Sequence, residues 1–168
     1  MERWDRKGVP HKGWIFECIE DNEGNYEQCE MCGKEGIRFV HVLSHPEYGE
    51  IRVGCECASK MLNDYVNPQQ RERALKNKIN RLKNFLKIEW NYNSTKKTYS
   101  TKYKGEYITI KQSVRGTYGV FFQQESYWDF DGKQVKDLET AKRFAFEIFD
   151  EKHQTLYERN SCWLYDED

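Results

Sequence analysis

The chain has 168 residues, of which 38% are hydrophobic and 33% charged, enough apolar material for one medium domain or two small ones with a modest core. No stretch is apolar over the roughly 20 residues that a membrane span requires and the first residues carry no apolar run, so the sequence predicts a cytoplasmic protein with no membrane partner. The formal net charge of −1 hides an uneven distribution: residues 67–116 hold 13 basic and 3 acidic side chains, whereas 117–168 hold 6 basic and 12 acidic ones.

In chain order, 13–19 reads as a strand or extended arm ended by the polar run 20–25. The runs 38–43 and 50–53 are strand-like and are joined through a loop containing Pro46 and Gly49, which predicts a β-hairpin. Residues 58–65 suit two helical turns. Asn67, Pro68 and Gln70 supply a cap, a first-turn proline and a capping-box partner for a helix running to about residue 87. Leu75, Ile79, Leu82 and Leu86 give that helix an apolar stripe, broadened by Phe85. Its other faces carry Arg71, Arg73, Lys76, Lys78, Arg81, Lys83 and Lys87, against Glu72 alone.

A polar connector is expected over 91–97. Strands follow at 98–103, 106–111, 118–123 and 126–130, rich in Tyr, Thr, Ile, Val and Phe and separated by glycine-containing turns. Asp137 is placed to cap a last helix with a stripe of Leu138, Ala141, Ala145 and Ile148, widened by Phe144 and Phe149. Trp163, Leu164 and Tyr165 are expected to tuck against the body. The predicted class is α+β: a zinc module over 13–66, an α-β-β-β-α module with a three- or four-stranded antiparallel sheet over 67–155, and an acidic, aromatic tail over 156–168.

Four of the six cysteines fall into two tight pairs, which favours metal thiolates in a reducing compartment over disulfides. Cys18 and Cys162 lie outside that pattern and read as small, partly buried side chains. A tetrahedral zinc ion takes four ligands at about 2.0–2.3 Å, and a Cys-x-x-Cys turn presents two thiolates to one ion. Cys29-Glu30-Met31-Cys32-Gly33 has that form, and Cys55 and Cys57 follow the expected hairpin. One structural zinc ion held by Cys29, Cys32, Cys55 and Cys57 is therefore the expected cofactor.

The order of knuckle, hairpin and cysteine pair running into a helix resembles the treble-clef group of zinc folds over Cys29 to about Tyr65. That group more commonly has Cys-x-x-Cys at the helix start, whereas only Glu56 separates Cys55 from Cys57. The departure leaves open a site in which His41 or His45 replaces one of these two cysteines. Residues 37–61 also resemble small bacterial and phage zinc proteins, a likeness that implies no activity. Treble-clef folds include nucleases, but the helix after Cys57 lacks the histidine that those enzymes use there. A four-thiolate site has no open position for water, so no catalytic residue is assigned and the ion is expected to brace the fold.

The basic stretch suits a phosphate-binding surface, with DNA or RNA as partner. Arg71, Arg73, Lys76, Lys83, Lys87, Lys96, Lys97, Lys102 and Lys104 are the expected contacts, and Tyr92, Tyr99, Tyr103, Tyr107 and Tyr118 are interleaved with the later ones as candidates for base stacking. The helix, three strands, helix order is similar to double-stranded-RNA-binding domains, and the sheet with its final helix to small DNA-binding integrase arms. Two alternatives stand beside this reading. One is a zinc-stabilised protein-interaction or inhibitory adaptor, from a phage or mobile element, with a protein partner or a second copy of the chain meeting the charged surfaces. The other is a treble-clef-type metal-dependent nuclease.

Overall fold

A computed structural model describes residues 3–153. The expected tail over 156–168, including Cys162, Trp163, Leu164 and Tyr165, lies outside them. The chain is α+β and divides into two compact units, the described parts of which are 3–78 and 79–153. The division falls inside the long helix rather than before it.

In the first unit, β1 (Ile15–Asp21), β2 (Phe39–His45) and β3 (Gly49–Val53) form an antiparallel sheet in that order. The expected hairpin is thus β2–β3, with β1 added on the far side of β2. His41 lies opposite Val53 and Leu43 opposite Ile51, so these four share one face. Leu43, Ile51 and Val53 build a core with Trp14, Met31, Ala58 and Met61. Arg38 donates to both carboxylate oxygens of Asp21, at 2.7 and 3.0 Å. Arg52 likewise ties β3 to Glu20 and Glu27.

Helix α1 (Cys55–Leu62) starts three residues earlier than its expected position. Gly54 is its extended N-cap, and Asn63 ends it in the left-handed conformation with φ 49°. Both Cys55 and Cys57 therefore sit in the first helical turn. Helix α2 (Asn67–Leu86) has the expected span. Asp64 fastens its start: its Oδ1 takes the N–H groups of Val66 and Asn67 at 3.0 Å each, and its Oδ2 takes the Asn67 side chain at 2.6 Å. Leu75, Ile79, Leu82 and Phe85 are buried, as a stripe of this spacing requires.

The second unit contains a five-stranded antiparallel sheet in sequential order: β4 (Asn91–Asn93), β5 (Thr98–Tyr103), β6 (Glu106–Gln112), β7 (Tyr118–Phe122) and β8 (Glu125–Tyr127). The connector expected over 91–97 thus supplies a strand, with Tyr92 opposite Tyr99 and Asn93 opposite Thr98. The run expected over 126–130 is broken between β8 and a small hairpin of β9 (Asp129–Phe130) and β10 (Lys133–Gln134).

Helix α3 (Leu138–Glu151) is capped by Asp137, which accepts from the Thr140 N–H at 2.8 Å and its hydroxyl at 2.7 Å. Ala141, Phe144, Ala145, Ile148 and Phe149 are buried, joined by Phe146 and Asp150. Phe149 meets Tyr103 and Phe122, and Phe146 meets Phe85, at centroid distances of 4.9–5.6 Å. One sheet face, carrying Ile108, Ile110, Val120 and Phe122, is thereby closed. Asp150 is balanced by Arg81, whose guanidinium donates to both carboxylate oxygens at 3.0 and 3.1 Å.

Candidate functional site

The knuckle forms as its sequence demands. The Gly33 N–H donates to the Cys29 carbonyl at 2.8 Å, and the Cys29 N–H to the Lys34 carbonyl at 2.8 Å. Gly33 has φ +78°, a conformation that is strained for residues with a Cβ, and this lets the chain reverse immediately after Cys32. The Glu30 N–H donates to the Arg52 carbonyl and the Arg52 N–H to the Glu30 carboxylate, which moors the knuckle to β3.

Three of the four expected ligands meet. The sulfurs of Cys29, Cys32 and Cys57 all lie within 4.8 Å of one another, and the trio can hold a metal ion. The fourth, Cys55, is not in that group: its sulfur lies within 4.8 Å of a His41 ring nitrogen and a Glu72 carboxylate oxygen, which form a second donor cluster. The cause is helical geometry. Successive helical residues turn by about 100°, so positions i and i+2 point to opposite sides of the axis, whereas i and i+3 share a face. A Cys-x-Cys spacing placed inside a helix therefore separates its two thiols.

The thiols differ electrostatically as well. A hydrogen bond between Cys57 and Cys29 lowers the pKa of Cys29 and raises that of Cys57, so the pair shares a proton that a metal would displace. Burial, reinforced by the nearby Glu72 carboxylate, pushes Cys55 up to about 11. Burial also works to raise Glu72, but His41 and Lys76 outweigh it and hold its carboxyl below its ordinary value. A cleft of about 290 Å³ is lined by all four of these cysteines together with Glu72.

His45, the other expected substitute ligand, has both ring nitrogens engaged. Its Nδ1 accepts from the Glu47 N–H at 3.1 Å, and its Nε2 lies 3.0 Å from the Lys12 carbonyl. It is the last residue of β2, paired with Gly49. Glu72 was read from sequence only as the lone acid on a basic helix, and its isolation among cations was the available signal of a special role.

The expected basic contacts are distributed over both units. In the first unit, Arg73 and Lys76 are exposed, while Arg71 is half-buried with its guanidinium 3.7 Å from the centroid of the Phe16 ring. Lys76 bonds to Glu72 at 2.8 Å. Lys78, placed on a solvated face by the sequence, is buried instead. In the second unit, Lys83, Lys87, Lys96, Lys97, Lys102 and Lys104 are exposed.

Of the five interleaved tyrosines, Tyr103 packs edge-on against Phe85 and Phe149, and Tyr92 and Tyr99 pair with each other at 4.6 Å. Tyr118 is half-buried and bridges to Val135. Tyr107 is 70% exposed. It stands on the sheet face opposite Ile108 and Ile110, where strand alternation and pairing also place Ser100, Lys102, Thr109, Lys111 and Phe121. None of these outward positions is acidic. The Lys102 ammonium lies 5.5 Å from the Tyr107 ring centroid. Trp128 folds over the same face against Gly119 and meets Phe121 edge-on at 5.8 Å. Phe121 and Trp128 were not among the residues expected there.

Among the described residues, no helix is long and apolar enough to cross a membrane. Comparison with protein-family models, with curated proteins and with solved structures gave no significant match.

Proposed function

We propose that the protein is a non-catalytic, zinc-braced nucleic-acid-binding protein whose second unit offers an open sheet face to phosphates and unpaired bases. The observation that carries this reading is Tyr107, a highly exposed ring with Lys102 directly opposite it on β5 and Lys111 further along β6 on the same face. Exposed aromatic rings flanked by ammonium groups bind single strands by stacking and by phosphate neutralisation, with little regard to base sequence. Residues 91–116 hold six basic side chains against Glu106 alone, which supports an attraction for polyanions. Phe121 and Trp128 extend the apolar surface beside Tyr107.

The metal assigned to Cys29, Cys32 and Cys57 is zinc, for which thiolate-rich tetrahedral sites are typical. The succession of knuckle, β2–β3 hairpin and ligand in the first turn of α1 supports a treble-clef-like arrangement. The ion's role is to tie the knuckle to the start of α1.

The test is a binding panel of labelled mixed-sequence DNA and RNA, single-stranded and duplex, at two salt concentrations. Binding should weaken steeply with salt. Neutralising Lys102 or Lys111 should each reduce the logarithmic salt slope by about 1 where a phosphate contact is lost. Tyr107→Ala should cost about 1–3 kcal/mol on single strands, with its salt slope unchanged. Absence of salt-dependent binding to every probe would overturn the reading and favour a protein partner.

A further inference from the structure

We propose that His41, Cys55 and Glu72 form a second metal site, distinct from the thiolate trio, for a divalent first-row transition ion of the zinc and cobalt class. The three donors come from β2, the first turn of α1 and the second turn of α2, and their ligand atoms converge within 4.8 Å. A nitrogen, sulfur and oxygen set suits an ion of borderline softness and disfavours magnesium or calcium, which prefer oxygen alone.

The imidazole supplies an independent reason. His41 is fully buried, its Nδ1 has no hydrogen-bond partner, and its Nε2 lies 3.5 Å from Glu72 Oε2, a long separation for a hydrogen bond. The nitrogen that faces Glu72 is Nε2, and a buried ring nitrogen held only by so long a contact is better satisfied by an ion that it shares with the Cys55 sulfur and Glu72 Oε2. Glu72 is already oriented for this. Its Oε1 accepts from the Lys76 ammonium at 2.8 Å, which leaves Oε2 turned toward His41. Outer contacts of this kind fix the direction of a ligating carboxylate. The helical separation of Cys55 from Cys57 keeps the two sets apart, so filling one does not consume a ligand of the other.

The test loads the full-length, reduced protein with zinc and, separately, with cobalt(II), and counts bound metal by elemental analysis and native mass spectrometry. Two equivalents are expected. Glu72→Gln and His41→Asn should each remove one equivalent, and Cys57→Ser should remove the other. Glu72 keeps 21% of its side chain exposed whereas His41 is fully buried, so Glu72→Gln keeps the experiment informative if His41→Asn fails to fold, with circular dichroism confirming structure. In the cobalt form, the equivalent lost in Glu72→Gln should carry the weaker sulfur-to-metal charge-transfer band, in keeping with its single thiolate. A single equivalent in the wild type, abolished alike by Cys55→Ser and Cys57→Ser, would establish one four-thiolate site and overturn the proposal. So would two equivalents that persist in folded Glu72→Gln, or no bound metal at all. None of these outcomes bears on nucleic-acid binding, which is measured separately.

Discussion

Cys55 and Cys57, separated by one residue in the first turn of α1, belong to different donor clusters: Cys57 stands with Cys29 and Cys32, and Cys55 with His41 and Glu72. Their substitutions should therefore behave differently. Cys57→Ser or Cys29→Ser should abolish metal-dependent stabilisation by the trio. Cys55→Ser should leave it in place. A metal present at 100 times its dissociation constant contributes about 2.7 kcal/mol, so strong chelation should lower the melting temperature most in the wild type and by less in Cys55→Ser and in Cys57→Ser, each of which keeps one of the two donor clusters. Thermal melts with and without chelator check this.

In the second unit, the Arg81–Asp150 pair predicts a large stability loss when one partner is removed. The Asp150 side chain is only 4% exposed, and both its oxygens are engaged by the guanidinium. Asp150→Ala removes both of these charge-assisted hydrogen bonds and should cost about 1.5–3 kcal/mol in urea denaturation. Replacing both residues with apolar side chains of similar size should recover most of that loss.

Much of the architecture was legible because its signals are local. The spacing of Leu75, Ile79 and Leu82, the cap at Asp137 and the alternation in β5–β7 each depend on neighbours a few residues away. Asn91–Asn93 was not legible as a strand, since asparagine has low strand propensity and this segment is held by its pairing with β5. The part played by Asp64 was not legible, because the turn that brings its carboxylate onto the N–H groups of Val66 and Asn67 lies ahead of the helix pattern. At the candidate site, the single residue between Cys55 and Cys57 was visible, but its consequence depended on where α1 begins. The meeting of His41 with Glu72 joins residues 31 apart through tertiary packing, which no local pattern reports.

Gly119 predicts a steric dependence. A Cβ at this position would lie 2.6 Å from ring atoms of Trp128, too close for any real contact. Gly119→Ala should therefore destabilise the second unit by about 1–3 kcal/mol. In a Trp128→Ala background the same change should be nearly neutral, and a double-mutant cycle by chemical denaturation measures the difference.

The helix caps set an acid dependence. The Thr140 backbone N–H, followed by its hydroxyl, holds the Asp137 carboxyl below its ordinary pKa, and Asn67 does the same for Asp64. Each folded-state pKa is depressed, so each cap contributes fully above the unfolded carboxylate value and is lost as pH falls through the folded one. Asp137→Ala should cost about 0.5–2 kcal/mol at neutral pH. Asp137→Asn keeps an acceptor without its charge and should flatten the decline in stability below about pH 4. Melting temperatures across pH 3–7 distinguish the two variants.

The outermost strands of the five-stranded sheet, β4 and β8, have only three residues each. Such brief borders give an extended peptide few backbone groups to zip onto, and they discourage end-to-end joining of molecules into fibrils. On the proposed reading, a polyanion would meet the broad outward side of the sheet, and its recognition would rest on the chemistry of Lys102, Tyr107 and Lys111 rather than on main-chain complementarity.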